Sequence, residues 1–345
     1  MEAAVHELHL FGSVHETSRA RLPATEKPIL LVVADTEEEF DWSKPHDRNS
    51  TDVTAMPSIT RAQSVFDEFG IRPCYVVDFP VVAVEQGYAA LRDIQADGRC
   101  EIGAHLHPWV SPPHEEQVCT RHSFPGNLPA ELEESKLHTL NERITEIFGA
   151  PAKTYKAGRY GIGPSTGRIL ERLGFDVDLS VVPDFDYSGE EGPDFSGYPY
   201  GPYWFGVRRR MLCVPATSAI AGFLGSLRRP VYRLANRPPL RRMKMPGILS
   251  RLGAADRLHL SNEGYSVAEN IKLTRWLHAR GERVFTYSFH SPSVVPGHTP
   301  YVRTDEDLQA FLDGFRRYFE FFFGELGGVT MTPSELRRHL AKGCA

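Results

Sequence analysis

Two short stretches carry residue types suited to metal-assisted hydrolysis. In ILLVVADTEEEFDW, an apolar run from Ile29 ends in Asp35, and Glu37, Glu38, Glu39 and Asp41 follow at once. A run of acids is ordinarily a solvated loop. Asp35 differs because it closes the apolar run, and Glu37, two residues on, points the same way in extended backbone. Carboxylates so placed repel unless a cation lies between or beside them. The spacing therefore predicts a divalent metal and an arginine close by, with Glu38 facing away and Glu39 and Asp41 supporting the site or solvated. In EIGAHLHPW, His105 and His107 likewise share one side of an extended segment. Two neutral imidazoles and one carboxylate form a tripod for catalytic zinc that leaves a position open to water. Iron(II) sites use the same donor set, but the HxD order common in them is absent. His114, across a loop, can stand in for His107.

Two further side chains sit at expected strand ends. Arg159, in KAGRYGIGPS, lies in a glycine-rich turn and would hold Asp35 ionised and oriented. His290, in FTYSFHSPS, ends an apolar strand and suits a proton donor to a leaving group.

The elements that must position these residues alternate. Apolar runs at ILLVVA, IRPCYVVDFPV, RCEIGAHLHPW, KTYKAG, FDVDLSVVP and RVFTYSFHS read as strands. Between them lie amphipathic stretches such as ITRAQSVFDEFG, residues 129–149, STGRILERLG and VAENIKLTRWLHARG, with Gly stops. Such alternation implies parallel pairing through right-handed crossovers. The fold class is α/β, a barrel-like (β/α) domain in preference to an open sheet, whose strand ends converge on one mouth. The expected organisation is an extension over 1–27, the barrel domain over 28–335 and a tail over 336–345. The stretch 183–262 breaks the rhythm. It is rich in Pro, Gly and aromatics, then basic, with Arg208, Arg209, Arg210, Arg228, Arg229 and further arginines. It reads as an insertion at the ligand end, where loops carry specificity.

The chain of 345 residues is long enough for a sizeable core, and its net charge of -5 does not suggest a nucleic-acid partner. Five cysteines with no CxxC pair argue against a disulfide framework or a cysteine zinc site. No apolar run has the length of a membrane span. The N-terminus is a poor signal peptide, so a cytoplasmic or membrane-peripheral location is expected. The basic segment and the apolar LCVPATSAIAGFLGSL beside it would suit peripheral contact with an anionic membrane.

Taken in order, the acid pair, EIGAH with a nearby histidine, AGRYG and FHSPS resemble the NodB-type polysaccharide deacetylases, carbohydrate esterase family 4. DTEEEFDW, HLHPW and FHSPS look closest to the divergent WalW-like branch. The resemblance spans about residues 28–335. It implies a distorted (β/α) barrel that uses zinc, or a divalent ion such as cobalt, nickel or manganese, to remove acetyl groups from N-acetylated sugars. By motif, Asp35 matches the catalytic base, Glu37 and His105 match metal ligands, Arg159 the arginine that orients the base, and His290 the catalytic acid. The family's usual acid pair is two adjacent aspartates, where this chain has Asp-x-Glu. Its second histidine falls four residues after the first, at Trp109 here, so His107 is the replacement. Asp178 is the expected partner of His290, and Trp109, Tyr160, Tyr203 and Trp204 the expected substrate contacts. The implied substrate is an N-acetylated sugar or glycan, nucleotide- or lipid-carrier-linked. The rival readings are a metal hydrolase of a non-sugar C–N bond and a non-catalytic sugar-binding or membrane-peripheral module.

Overall fold

Strand β1 (Ile29–Thr36) is buried at every position, as a strand covered on both faces must be. The computed structural model describes residues 9–12, 18–20, 22–41, 44–207 and 210–342. Trp42, Arg208, Arg209 and Cys344 lie outside these described residues. After β1 come α1 (Thr60–Glu68), β2 (Cys74–Val77), α2 (Phe79–Ala83), α3 (Glu85–Ala96), β3 (Glu101–Leu106), α4 (Ala130–Phe148), β4 (Thr154–Ala157), α5 (Thr166–Leu173) and β5 (Val177–Asp178). Strands β6 (Tyr203–Phe205), β7 (Met211–Cys213) and β8 (Ser218–Ala221) follow, then α6 (Arg228–Ala235), α7 (Met245–Arg251) and β9 (Asp256–His259). The chain continues through α8 (Val267–His278), β10 (Val284–His290), α9 (Asp305–Phe319), β11 (Val329–Thr330) and α10 (Pro333–Lys342).

The main sheet runs β10-β1-β2-β3-β4-β5-β7-β6, with β11 on the start of β1. All neighbours along it are parallel except β6 with β7. This is the curled, barrel-like α/β architecture expected from alternating elements. Two of its strands, β6 and β7, come from the stretch 183–262. A separate ribbon of β8 and β9 bridges its open side. There Leu260 accepts a hydrogen bond from the Ser288 N–H, and Thr217 accepts one from the Thr286 N–H through its hydroxyl.

Strand parity divides the core in two. Leu30, Val32 and Ala34 face the helices within the large cluster. Ile29, Leu31 and Val33 join Val76, Val177, Leu179, Leu212, Val214 and Val284 in a small cluster inside the curl. Successive side chains on a strand alternate, so Asp35 continues the inward row of β1. His105 does the same on β3, Lys156 on β4 and His290 on β10. The inward rows are apolar lower down and ionisable at their carboxyl ends.

Candidate active site

Sheet register places the chemistry. Asp35 pairs with His290 across β1 and β10, and His105 pairs with Lys156 across β3 and β4. Glu37 sits one residue past β1, and its backbone N–H donates to Ser291 Oγ at 3.1 Å. Its Oε2 lies 3.4 Å from His105 Nε2 and 3.5 Å from His107 Nε2. All three residues are buried.

The far nitrogens of both imidazoles are already committed. His105 Nδ1–H donates to the Lys156 carbonyl at 2.9 Å, and His107 Nδ1–H donates to Glu38 Oε2 at 2.7 Å. In its neutral form each ring therefore turns a bare Nε2 lone pair toward Glu37. Burial pushes the His107 pKa down, against nearby carboxylates that raise it, so the ring is held neutral, the form that ligates a metal. Burial acts to raise the Glu37 pKa, but the charge on His290 leads the opposing influences, and the carboxyl lies below its usual range. Two lone pairs and an anionic oxygen converging with their backs hydrogen-bonded fit a divalent cation such as zinc.

Glu38 is part of this support and does not face away. Its carboxylate accepts from His107 and from Trp109 Nε1 at 2.9 Å, and its N–H donates to Asp78 Oδ2 at 3.0 Å. Burial raises its pKa to about 7 and raises that of Asp78 well above the ordinary value. The close approach of Gly158 to the His107 ring completes the seat. A Cβ at Gly158 would lie 2.4 Å from His107 Cδ2.

On one side of the triad stands Asp35. Lys156 Nζ donates to both of its carboxylate oxygens at 2.6 Å. Burial pushes the Asp35 pKa up, yet the Lys156 ammonium, aided by cationic His290, holds it at about 2. On the other side, His290 Nε2 lies 3.7 Å from Asp35 Oδ2. Glu263 grips His290 twice: its Oε2 accepts from Nδ1–H at 2.6 Å and its Oε1 from the backbone N–H at 3.0 Å. Burial pulls the His290 pKa down, but Glu263, Glu37 and Asp35 raise it to about 10, so the ring is cationic at neutral pH.

Asp35, Glu37, His105, His107, Lys156 and His290 share an opening of about 290 Å³. Tyr160, Tyr187, Pro300 and Tyr301 form much of its wall. A second cavity of about 160 Å³ adjoins it through Tyr160, Tyr187, His290 and Tyr301, and is lined as well by Phe185, His259 and Tyr265. His259 Nε2 pairs with Ser288 Oγ at 2.9 Å, while its buried Nδ1 has no partner among the described residues.

Searches with the sequence found neither a matching family model nor a matching curated protein. Similar solved structures do exist. A Mycobacterium smegmatis protein assigned as a polysaccharide deacetylase superposes with a TM-score of 0.54 at 14% identity, over 94% of each chain. A Pseudomonas aeruginosa PAO1 protein with the same assignment gives 0.53 at 14% identity, again over 94% of each. The chain has the polysaccharide-deacetylase fold. The PuuE allantoinase shares it, with a TM-score of 0.52 and 14% identity over 93% of this chain and 92% of the other. The deacetylase fold therefore admits more than one substrate class, and function has to be argued from the site.

Several expected residues stand elsewhere on this deacetylase fold. Arg159 does not touch Asp35. It has a left-handed backbone (φ 54°), and its guanidinium binds Ser123 Oγ and Glu190 and lies 4.1 Å above the Phe124 ring. Lys156 holds Asp35 instead, because it is on the inward row of β4 whereas Arg159 lies past the strand. Asp178 is not the partner of His290. Its carboxylate accepts from the Ser180 hydroxyl and N–H and from Cys213 Sγ, and Glu263 takes the expected role. Trp109 is buried beneath the site, stacked on His107 at 4.3 Å, so it props that ring and does not line the opening. Tyr203 and Trp204 are buried in β6 at the far edge of the sheet, with the Tyr203 hydroxyl on the Leu10 carbonyl. Of the expected substrate contacts, Tyr160 alone lines the opening. The His114 carbonyl binds Arg48, and His114 is not in the triad.

Sequence reasoning missed Lys156, Glu263 and Glu38. Lys156 carried a signal, a lone cation on the inward parity of an apolar strand. Glu263 sits in the turn SNEGYS, where nothing marks it.

Proposed function

We propose that the protein is a metal-dependent de-N-acetylase of an N-acetylated sugar or glycan. The observation that carries this reading is the convergence of Glu37, His105 and His107 between an anionic Asp35 and a cationic His290. When bound there by those three side chains, a divalent ion supplies Lewis acidity, which acidifies water and polarises an acyl oxygen.

The chain's own groups supply the proton traffic. Asp35 is ionised at any working pH, so it is always free to accept a proton from the attacking water, and Lys156 fixes its position. A carboxylate held so low is a weak base, so it suits a water that is already acidified. Cationic His290 presents Nε2 on the same opening and donates a proton to the departing amine, which leaves poorly as an anion. Glu263 stabilises the charged ring before transfer. The tyrosine-lined walls offer flat faces for a sugar ring.

The test is acetate release by purified, zinc-supplemented protein from N-acetylhexosamine oligomers and from UDP- and lipid-linked N-acetyl sugars, with amino-acid amides and ureides in parallel. Release from sugars alone, abolished in Asp35→Asn, supports the proposal. Turnover of ureides alone overturns it in favour of a non-sugar C–N hydrolase, which the same groups would serve.

A further inference from the structure

The segment 223–252, which carries α6 and α7, has an unusual surface. Among the described residues, nine large apolar side chains are exposed, and six of them fall here. They are Phe223 (73%), Leu227 (60%), Leu234 (58%), Met243 (64%), Ile248 (44%) and Leu252 (65%). Leu227 and Leu234 are seven residues apart and Ile248 and Leu252 four, so each pair occupies one helical face. The segment is also one-signed. No Asp or Glu occurs between Asp194 and Asp256. Arg233, Arg237, Arg241, Arg242, Lys244 and Arg251 are all exposed, and none is within ion-pair distance of a carboxylate among the described residues. Arg228 and Arg229 are spent internally, on the Ile220 carbonyl and on Asp184.

Exposed large apolar groups interleaved with unpaired arginines suit a surface that is anionic outside and apolar just beneath. We infer that α6 and α7 form a docking face for an anionic lipid bilayer. A second copy of the chain is disfavoured, because a two-fold contact would set this cationic face against itself. Nucleic acid would use the arginines but leave the aliphatic side chains without a role. The two helices pack on each other and on the β8 and β9 ribbon. Arg257 of β9 lies between Phe185 of the adjoining cavity (4.3 Å) and Tyr232 of α6 (5.8 Å). Helix α6 thus lies one side chain from the pocket wall. Docking is independent of the proposed chemistry and survives if the acetate assay fails.

The experiment is co-sedimentation of the full chain with vesicles. Pure phosphatidylcholine is compared with phosphatidylcholine containing about 30% phosphatidylglycerol, a fraction that gives a negative surface. The protein should pellet with the anionic vesicles alone and be released in about 0.5 M salt, where charges are screened. Arg241→Glu/Arg242→Glu/Lys244→Glu, at exposed sites, should lower partitioning by roughly tenfold or more. Leu227→Ser/Leu234→Ser/Leu252→Ser should lower it comparably, with the thermal midpoint unchanged. Equal pelleting with both vesicle types, or none with either, overturns the inference, and the wild-type comparison needs no variant. Loss of self-association in the leucine variant, without vesicle binding, would assign the face to a second copy.

Discussion

Lys156 Nζ stands 2.6 Å from each carboxylate oxygen of Asp35, and both side chains are almost wholly buried. Removing one member of such a pair strands the other. Lys156→Met should therefore cost about 3 kcal/mol in urea unfolding at neutral pH. The double variant with Asp35→Asn should recover much of that loss. The sign with pH is fixed by the depressed carboxyl. Its contribution is present above the unfolded pKa and is lost as pH falls through about 2. In the single variant the acid limb of kcat/KM should move to higher pH and the rate fall roughly a hundredfold. An unmoved acid limb would mean that Lys156 does not set the Asp35 charge.

Glu38 holds His107 in the tautomer that bares Nε2. Glu38→Gln should weaken zinc binding by roughly tenfold to a hundredfold, as loss of a ligand's support typically does. Competition with a chromophoric chelator measures it. His107→Ala should bind still more weakly. Equal zinc affinity in wild type and Glu38→Gln would dismiss the supporting role.

Glu263 is the chief source of the His290 charge. A His pKa raised to about 10 gives stability that is full below the unfolded value and lost as pH rises through about 10. Glu263→Gln should bring the alkaline limb of kcat/KM down toward neutrality while the acid limb stays put. The pH–rate profile decides it, and a fall in rate without a shift of the limb would leave Glu263 a purely structural residue.

Glu133 offers a test away from the chemistry. It is buried in α4, where Thr166 Oγ1 donates to it at 2.6 Å, and burial raises its pKa to about 8. The folded form keeps a proton that the unfolded form gives up near the ordinary pKa. Its contribution to stability is complete below the unfolded value and disappears as pH rises to about 8. Glu133→Gln should therefore flatten the fall in stability between about pH 5 and 8, by denaturant titration at several pH values. A fall of the same slope in both proteins would assign it to other groups.

Strands β1 to β5 and β10 were readable because apolar runs are local properties, whereas β6 to β9, in the Pro- and Gly-rich stretch 183–262, and the two-residue β11 were not. Asp35, Glu37, His105, His107 and His290 stood out as ionisable residues where such runs end. The supporting contacts were hidden because they join distant segments. Glu263 meets His290 from a turn 27 residues away in sequence, and no local pattern encodes that approach. A strand-end position implies an inward side chain for Arg159, whereas its left-handed backbone turns it toward Glu190. The aromatics Tyr203 and Trp204 looked available because their segment is rich in Gly and Pro, yet they form an edge strand with buried side chains.

The pairing of Asp35 with His290 and of His105 with Lys156 along the ladder has an evolutionary corollary. The groups proposed to react are fixed to the sheet, whereas Tyr187, Pro300 and Tyr301 hang from connecting segments. Insertions in those connections can retarget the pocket without retuning the proton chemistry, but a one-residue slip in β1 would turn Asp35 outward and silence every version at once.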